Sequence, residues 1–478
     1  MKAITKNAFL NVLECPSLGW SLLKSKTSVT DNHAKFLLDQ GTRVGEKARE
    51  LYDSGKLIEA LNISDAVSDT KKIMQGNGAI IFEAAFQYKK FISRADIMIK
   101  SSDGWQMCEV KSSLKQKPEF IDDMAYTALI AQKSGININK VSLLHLSKEY
   151  RLGQPISSIF EEVVCTDEVL ERVKEFESLL NKVAKMLAVS EKPEPVLKFE
   201  CKKCDEFVNC FGNKVTHHIF DLPRISKSKF DELIGKDIIS IADIPDDFNL
   251  TPNQKRVRDS VKANRPYIGD KLKILLEEVS WPAYYLDFET VLTAIPLYSG
   301  IAPHAQVLTQ YSIHKCDSIE NETEHFEFLA DPLRDSRKEL TEQMIEDLGQ
   351  AGSVIVYSSF EKTQINGLIK IFPEYGSELQ TIIDRLVDLE KIIKTGFYHP
   401  GFHGSTSIKK TLPILVTDMD YENLEIQDGG NAMAAFAMMA LGQIDDEKIP
   451  EIKDNLLTYC KQDTYAMVKL HRKLSEFI

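Results

Sequence analysis

The segment Tyr285-Leu286-Asp287-Phe288-Glu289-Thr290 carries two acids two residues apart inside an apolar run. On a strand, both carboxylates would project from one face, with Leu286 and Phe288 on the other. Burying one carboxylate is costly, and burying two side by side ordinarily takes a cation. Near the C-terminus, Tyr459-Cys460-Lys461-Gln462-Asp463 sets a phenol and a carboxylate at i and i+4, on one face of a helix. Between them, Val354-Ile355-Val356-Tyr357-Ser358-Ser359-Phe360-Glu361 reads as a buried strand ending in an acid. Asp287, Glu289, Glu361, Asp463 and Tyr459 are thus candidate metal-binding and catalytic residues. Taken singly, each has a plainer alternative: Asp463 could salt-bridge its helix, and Glu361 suits a helix N-terminus.

A second group of acids lies earlier. Ser102-Asp103-Gly104 is a turn signal between strand-like runs at Phe91 to Ile99 and Trp105 to Ser112. A hairpin centred there sets Asp96 opposite Glu109, with side chains about 5 Å apart. Lys111 projects from the same face as Glu109. A divalent cation here would reconcile the two carboxylates and activate water. The lysine would orient the nucleophile or stabilise charge on a phosphate. Glu83, in Ile80-Ile81-Phe82-Glu83, is a further candidate ligand. A salt-bridged surface hairpin is the plain alternative. The apolar surroundings, with a helical pattern from Glu119 to Ser134 and a strand from Val141 to Leu146, favour a site.

Cys201-Lys202-Lys203-Cys204 followed by Cys210 forms a C-x2-C-x5-C cluster that can converge on one metal, with Cys15 the candidate fourth ligand. Tetrahedral zinc and an iron–sulfur cluster use the same four thiolates.

The elements that must position these residues fall into three blocks: 1–212, 213–279 and 280–478. Strand-like and helical stretches alternate in the first and third, which predicts α/β domains. The middle block reads as helical. In it, Leu233-Ile234-Gly235 followed by Ile239 to Ile244 resembles a helix–hairpin–helix, with a packed linker the alternative. Lys255, Arg256, Arg258, Lys262, Arg265, Lys271 and Lys273 then face only Asp259 and Asp270. This local excess would either track phosphates or form a solvated helix face.

The 478 residues carry 59 Lys+Arg against 71 Asp+Glu, a net charge of −12. Taken alone, that balance argues against a protein that coats nucleic acid with a basic surface, but not against a nuclease whose metal sites add carboxylates. The weakly polar run from Ala432 to Leu441 falls far short of the roughly 18 apolar residues of a membrane span. No export signal opens the sequence. A cytoplasmic protein without a membrane partner is expected, and in a reducing compartment its cysteines serve as thiols or ligands.

Arg94-Ala95-Asp96 and Glu109-Val110-Lys111, inside a cysteine bracket of this form, resemble the PD-(D/E)XK nucleases of the RecB type. The iron–sulfur subgroup, with the AddB helicase–nuclease subunit and the CRISPR adaptation nucleases, is the most similar. The resemblance implies a restriction-endonuclease-like fold with Asp96, Glu109 and Lys111 catalytic. It also implies a 4Fe–4S cluster on Cys15, Cys201, Cys204 and Cys210, with Zn2+ as the alternative. Two departures stand out. Gly41-Thr42-Arg43-Val44-Gly45 lacks the upstream histidine of those relatives, and Asp123-Met124-Ala125-Tyr126-Thr127 lacks the glutamine of their Gln-x3-Tyr motif.

The third block, with D-x-E on a strand, a mid-chain acid and a late Tyr-x3-Asp, resembles the DEDD exonucleases of the RNase H-like fold. The tyrosine variant and its YprB-like branch are the most similar. This implies that Asp287, Glu289, Glu361 and Asp463 bind two Mg2+ or Mn2+ ions while Tyr459 positions the attacking water. Glu361 stands where the family usually has Asp. Asp384 and Asp388 are spare acids, and His399 to Lys410 would contact the substrate backbone. The pairing of both halves resembles a bacterial family known only as a domain of unknown function.

The expectation is a metal-dependent nuclease, 3′-to-5′ in its C-terminal domain, processing nucleic-acid ends in repair or defence beside a helicase or similar partner. DNA is favoured through the N-terminal relatives, with RNA the alternative. The competing expectation is a nucleic-acid-binding scaffold with one or both sites degenerate.

Overall fold

The computed structural model describes residues 2–24, 31–76, 78–321 and 323–478. It is mixed α/β and divides into two compact units, Met1–Val196 with Leu292–Ala305, and Leu197–Val291 with Gln306–Ile478. This differs from the three blocks read from the sequence. The cysteine-bearing stretch and the whole middle block group with the second unit, while residues 292–305 group with the first.

The first unit is built on a six-stranded sheet whose strands follow chain order. They are β1 (Lys56–Leu57), β2 (Ile80–Tyr88), β3 (Phe91–Lys100), β4 (Trp105–Lys111), β5 (Ile138–Leu146) and β6 (Phe160–Val164). β2, β3 and β4 are antiparallel neighbours, and β4 runs parallel to β5. The helix Pro118–Lys133 provides that crossover, and proline at its start supplies a preset φ where no amide donor is needed. Its residues from Met124 to Ala131 are all buried. A helix apolar most of the way round must be covered on both sides. Here it lies between the sheet and the helices Lys6–Glu14 and Thr166–Met186.

The second unit contains β7 (Tyr267–Ile268), β8 (Ala283–Val291), β9 (Val307–Cys316), β10 (Glu324–Leu329), β11 (Ser353–Val356), β12 (Leu386–Asp388) and β13 (Phe397–Tyr398). Its main sheet has the order β10-β9-β8-β11-β12. β8 pairs antiparallel with β9 along its whole length. Its parallel pairing with β11 involves only Ala283, Tyr284 and Tyr285. The end of β8 that carries Asp287 and Glu289 therefore extends past β11. The 27-residue helix Ile449–Ser475 packs on β8 and β9, burying Tyr459, Cys460, Asp463, Thr464, Met467 and His471.

The middle block buries Phe220, Phe230, Leu233, Ile241 and Val257 and pairs with later elements of the second unit. β7 pairs with β13, and the helix Lys271–Glu277 packs on the helix Leu389–Gly396. The helix–hairpin–helix expected there is not formed. The helix Lys227–Ile234 is followed by a single 3-10 turn, Ile241–Asp243, and the next helix begins at Pro252. Part of the expected basic strip is taken up by structural bonds, while Lys255, Arg265, Lys271 and Lys273 are exposed. Arg258 is 5% exposed and donates to Asp259 and to the carbonyls of Pro245 and Asp246. Lys262 pairs with Asp246, and Arg256 donates to the Lys394 carbonyl and lies over the Tyr267 ring. Among the described residues, no helix is long and apolar enough to cross a membrane.

Candidate metal centre

Asp287 and Glu289 alternate along β8 with the buried Leu286 and Phe288, so both acids share one face of the sheet. The long C-terminal helix brings Asp463 to that face. Each of the three residues places a carboxylate oxygen within 4.8 Å of the other two. Burial raises the Asp287 carboxyl well above the usual range, and the charges of Asp463, Glu289 and Glu361 add to the shift. Burial and then Asp463 push Glu289 up to about 8. Asp463 is raised by burial, opposed by hydrogen bonds from Tyr421 and Tyr459. Three carboxyl groups that repel one another inside the fold become compatible as anions only when a cation joins them.

Around the acids stand groups that orient them. Tyr421 donates a short hydrogen bond to Asp463 Oδ1. The Tyr421 and Tyr459 rings lie 6.2 Å apart, and Lys409 Nζ sits 5.4 Å and 5.3 Å from their centres. Burial and the neighbouring acids raise both phenols well above the usual range, so each stays a neutral donor. Lys409 also donates to the Gln427 carbonyl at 2.7 Å, and its charge favours ionised Glu289. Gly429, first residue of the helix Gly429–Ala440, is where a Cβ would come within 3.5 Å of Glu289 Oε2.

Glu361 does not end a strand. β11 stops at Val356, and Ser358 Oγ accepts from the Phe360 amide, starting a helix at Phe360 with Glu361 in its first turn. It is 3% exposed, its Oε2 has no hydrogen-bond partner, and burial and then Asp388 push its carboxyl up to about 7. Its charge reaches Asp287 and Glu289, but it does not join the group in which all donors lie within 4.8 Å.

In the first unit, Ile97 pairs with Cys108 and Met98 with Met107, the register that sets Asp96 opposite Glu109 one step further on. Asp96 Oδ2 accepts from the Val110 amide at 2.6 Å. Burial and then Glu109 push Asp96 up to about 8. Glu109, against its own burial, is held below its usual range by Lys6 and Lys111, each 3.0 Å from Oε1, while Oε2 is buried without a partner. Lys111 also reaches Asp123 at 2.5 Å. Glu83 is bound by Arg49 at 3.0 Å. Glu83, Asp96 and Arg49 line a cavity of about 140 Å³ together with Gly41, Thr42, Gly45, Ile97 and Val110. Among the described residues, the acids here form no three-donor group as tight as the one on β8. Tyr126, fully buried, donates to the carbonyls of Ile4 and Ile92 and so has a structural place.

Cys201 lies in the 3-10 turn Phe199–Lys203, and its Sγ accepts from the Lys198 amide at 3.4 Å. Cys204 ends that turn and Cys210 ends the helix Phe207–Cys210. Cys15, in the first unit, caps the helix Lys6–Glu14. All four are half-buried.

Sequence reasoning missed Lys6, Arg49, Asp123 and Tyr421. Lone lysines, arginines and tyrosines carry no spacing signal, and each reaches its site only through tertiary packing. The resemblance places Lys409 among contacts to the substrate backbone; in the structure it is a neighbour of the acids.

Residues 284–407 match the model of a domain of unknown function, DUF2779. The chain is also similar to three uncharacterized proteins, each 25% identical over the matched part. The MG366 homolog of Mycoplasma pneumoniae matches over 230 residues, 44% of this chain and 35% of that protein. MG366 of Mycoplasma genitalium matches over 222 residues, 42% and 33%. UU173 of Ureaplasma parvum matches over 291 residues, 56% and 40%. The similarity thus spans well under half the length of each relative, and the matched domain model contains Asp287, Glu289 and Glu361 but stops short of Asp463.

Proposed function

We propose that this chain is a metal-dependent nuclease with its principal active site on β8. The observation that carries the reading is the convergence of Asp287, Glu289 and Asp463 within 4.8 Å, inside a fold that raises all three carboxyl groups. The donor set is all oxygen, which suits Mg2+ or Mn2+. When bound, such ions polarise a phosphoryl oxygen and activate water for in-line displacement.

The chain's own residues have distinct tasks. Asp287, Glu289 and Asp463 would hold the ions, with the partnerless Oε2 of Glu361 available as a further ligand. Tyr421 fixes Asp463 by hydrogen bonding, which sets the angle of its remaining lone pairs. Tyr459, a neutral phenol beside Asp463, orients the water that attacks phosphorus. A five-stranded sheet with its acids on the central strand and the closing acid on a C-terminal helix supports the RNase H-like, tyrosine-variant exonuclease reading. The 3′-to-5′ direction follows from that resemblance.

The first-unit group is read as a second nuclease site of the PD-(D/E)XK kind, with Asp96, Glu109 and Lys111 as its core and Glu83 beside them. Within the second unit, the cysteines at 201, 204 and 210 are read as three ligands of a 4Fe–4S cluster. A binding role without catalysis has a specific support in the first unit alone. There Glu109 is already matched by Lys6 and Lys111, and Glu83 by Arg49, with no cation required.

The test uses labelled single- and double-stranded DNA and RNA with defined ends, in Mg2+ or Mn2+. Asp287→Asn should abolish stepwise removal of 3′ nucleotides, and Lys111→Ala should abolish any separate cleavage. Activity that survives both changes rules out these assignments. A brown, iron-containing anaerobic preparation is expected; a colourless one containing zinc would reassign the cysteines.

A further inference from the structure

A second cluster of donors lies in the second unit, away from the carboxylates of β8. His217, Asp221 and His403 each place one donor atom within 4.8 Å of the other two. His403 Nδ1 lies 3.0 Å from Asp221 Oδ2. The two imidazole rings face each other with centres 4.9 Å apart. Two imidazoles bound tetrahedrally to one ion at about 2.0 Å would have ring centres about 5 Å apart. Nδ1 of His217 is buried and has no hydrogen-bond partner, which a bound ion would supply.

The backbone holds these residues ready. The Ile241 amide donates to the His217 carbonyl and the Asp221 amide to the His218 carbonyl. His403 has φ +48°, and Gly404 has φ +74° with its Cα so close to Asp221 that a Cβ would fall 1.8 Å from the Asp221 carbonyl oxygen. The two segments, far apart in sequence, are packed backbone to backbone at this point.

We propose that His217, Asp221 and His403 bind one divalent transition-metal ion, Zn2+ by their two-nitrogen, one-oxygen donor set, with a fourth position open to water. The ion pins the turn Pro400–Phe402 and the residues after it to the 3-10 turn Ile219–Asp221. That turn leads directly into the helix Ile408–Leu415, which carries Lys409 to the β8 acids. The ion thus supports the frame of the other site without belonging to it.

The test is metal uptake by the full chain, followed with Co2+ as the probe and excess Mg2+ present. One equivalent of Co2+ should give a tetrahedral visible spectrum without sulfur-to-metal charge transfer, displaced by Zn2+. His403→Asn keeps a residue that tolerates left-handed backbone, and His217→Gln tests the second ligand independently. Each should weaken binding by at least about tenfold, the scale on which even outer partners of a metal act. Both should melt like the wild type in chelator. Asp287→Asn should retain the spectrum. The assignment is overturned if the wild type shows no such spectrum, or if it survives both histidine changes.

Discussion

At the residue scale, the β8 acids trade stability for readiness. Among the described residues Asp287 pairs with no lysine or arginine, and its carboxyl is raised by burial and by three other acids. Replacing it with asparagine removes one like charge and keeps the shape. Asp287→Asn in chelator at pH 8 should therefore melt higher than wild type, by about 2–4 °C for each kcal/mol relieved. The same variant should have no nuclease activity. A variant that melts lower while retaining activity would contradict both claims. Tyr459→Phe isolates the phenol: the ring stays packed beside Tyr421 and only the hydroxyl beside Asp463 is lost. Its kcat should fall by about 10²-fold or more, the range for a positioned proton-handling group. Divalent-metal affinity should be unchanged in titration calorimetry.

At the element scale, the sheet of the second unit explains where its acids collect. β8, β11 and β12 run parallel, and ligands of such sheets bind beyond the carboxyl ends of the strands. Asp287 and Glu289 lie on the part of β8 that outruns β11. Glu361 follows β11, and Asp388 ends β12. The helix Ile449–Ser475 then supplies Asp463 from the side, with its buried Tyr285–His471 hydrogen bond of 2.8 Å fixing its seat on β8. The turn before Lys409 depends on Gly404, whose positive φ and close approach to Asp221 admit no side chain. Gly404→Ala should cost about 1–3 kcal/mol from backbone strain alone, and more from the clash. Thermal melts would show this as a loss of several degrees. Unchanged melting would mean that the 403–404 turn is free to move away from Asp221.

At the scale of the whole molecule, the raised carboxyl groups link stability to pH and to metal. Glu289 and Asp96 at about 8 and Glu361 at about 7 all lie above their unfolded values near 4. Between those limits the folded chain holds more protons than the unfolded one, so stability falls as pH rises. The contribution is complete below about pH 4 and lost by about pH 8. Melting temperature in chelator, compared with that in Mn2+, should show a gap that widens from pH 5 to pH 8. A constant gap would remove the β8 acids as metal ligands. The net charge of −12 has the same root in part. The buried acids Asp287, Glu289, Glu361 and Asp463 add to it, and in the proposed nuclease bound cations would offset them.

Much of this was legible from one-dimensional pattern. The D-x-E of β8, the i and i+4 pair of Tyr459 and Asp463, and the turn at Ser102-Asp103 that sets Asp96 against Glu109 are local periodicities. Strand and helix geometry alone decide which side chains share a face. Glu361 was misplaced because a buried apolar run does not announce its last residue, and a serine side chain ended the strand early. Of the basic strip, sequence could not show that Arg258 is buried and bonded to carbonyls and Asp259, because it counts charges without their partners. Tertiary structure alone decided that Lys6, Arg49, Asp123, Lys409 and Tyr421 surround the acids, and that His403 meets His217 and Asp221. Those contacts join segments far apart in the chain. They depend on how sheets and helices pack, which no spacing rule along the sequence encodes.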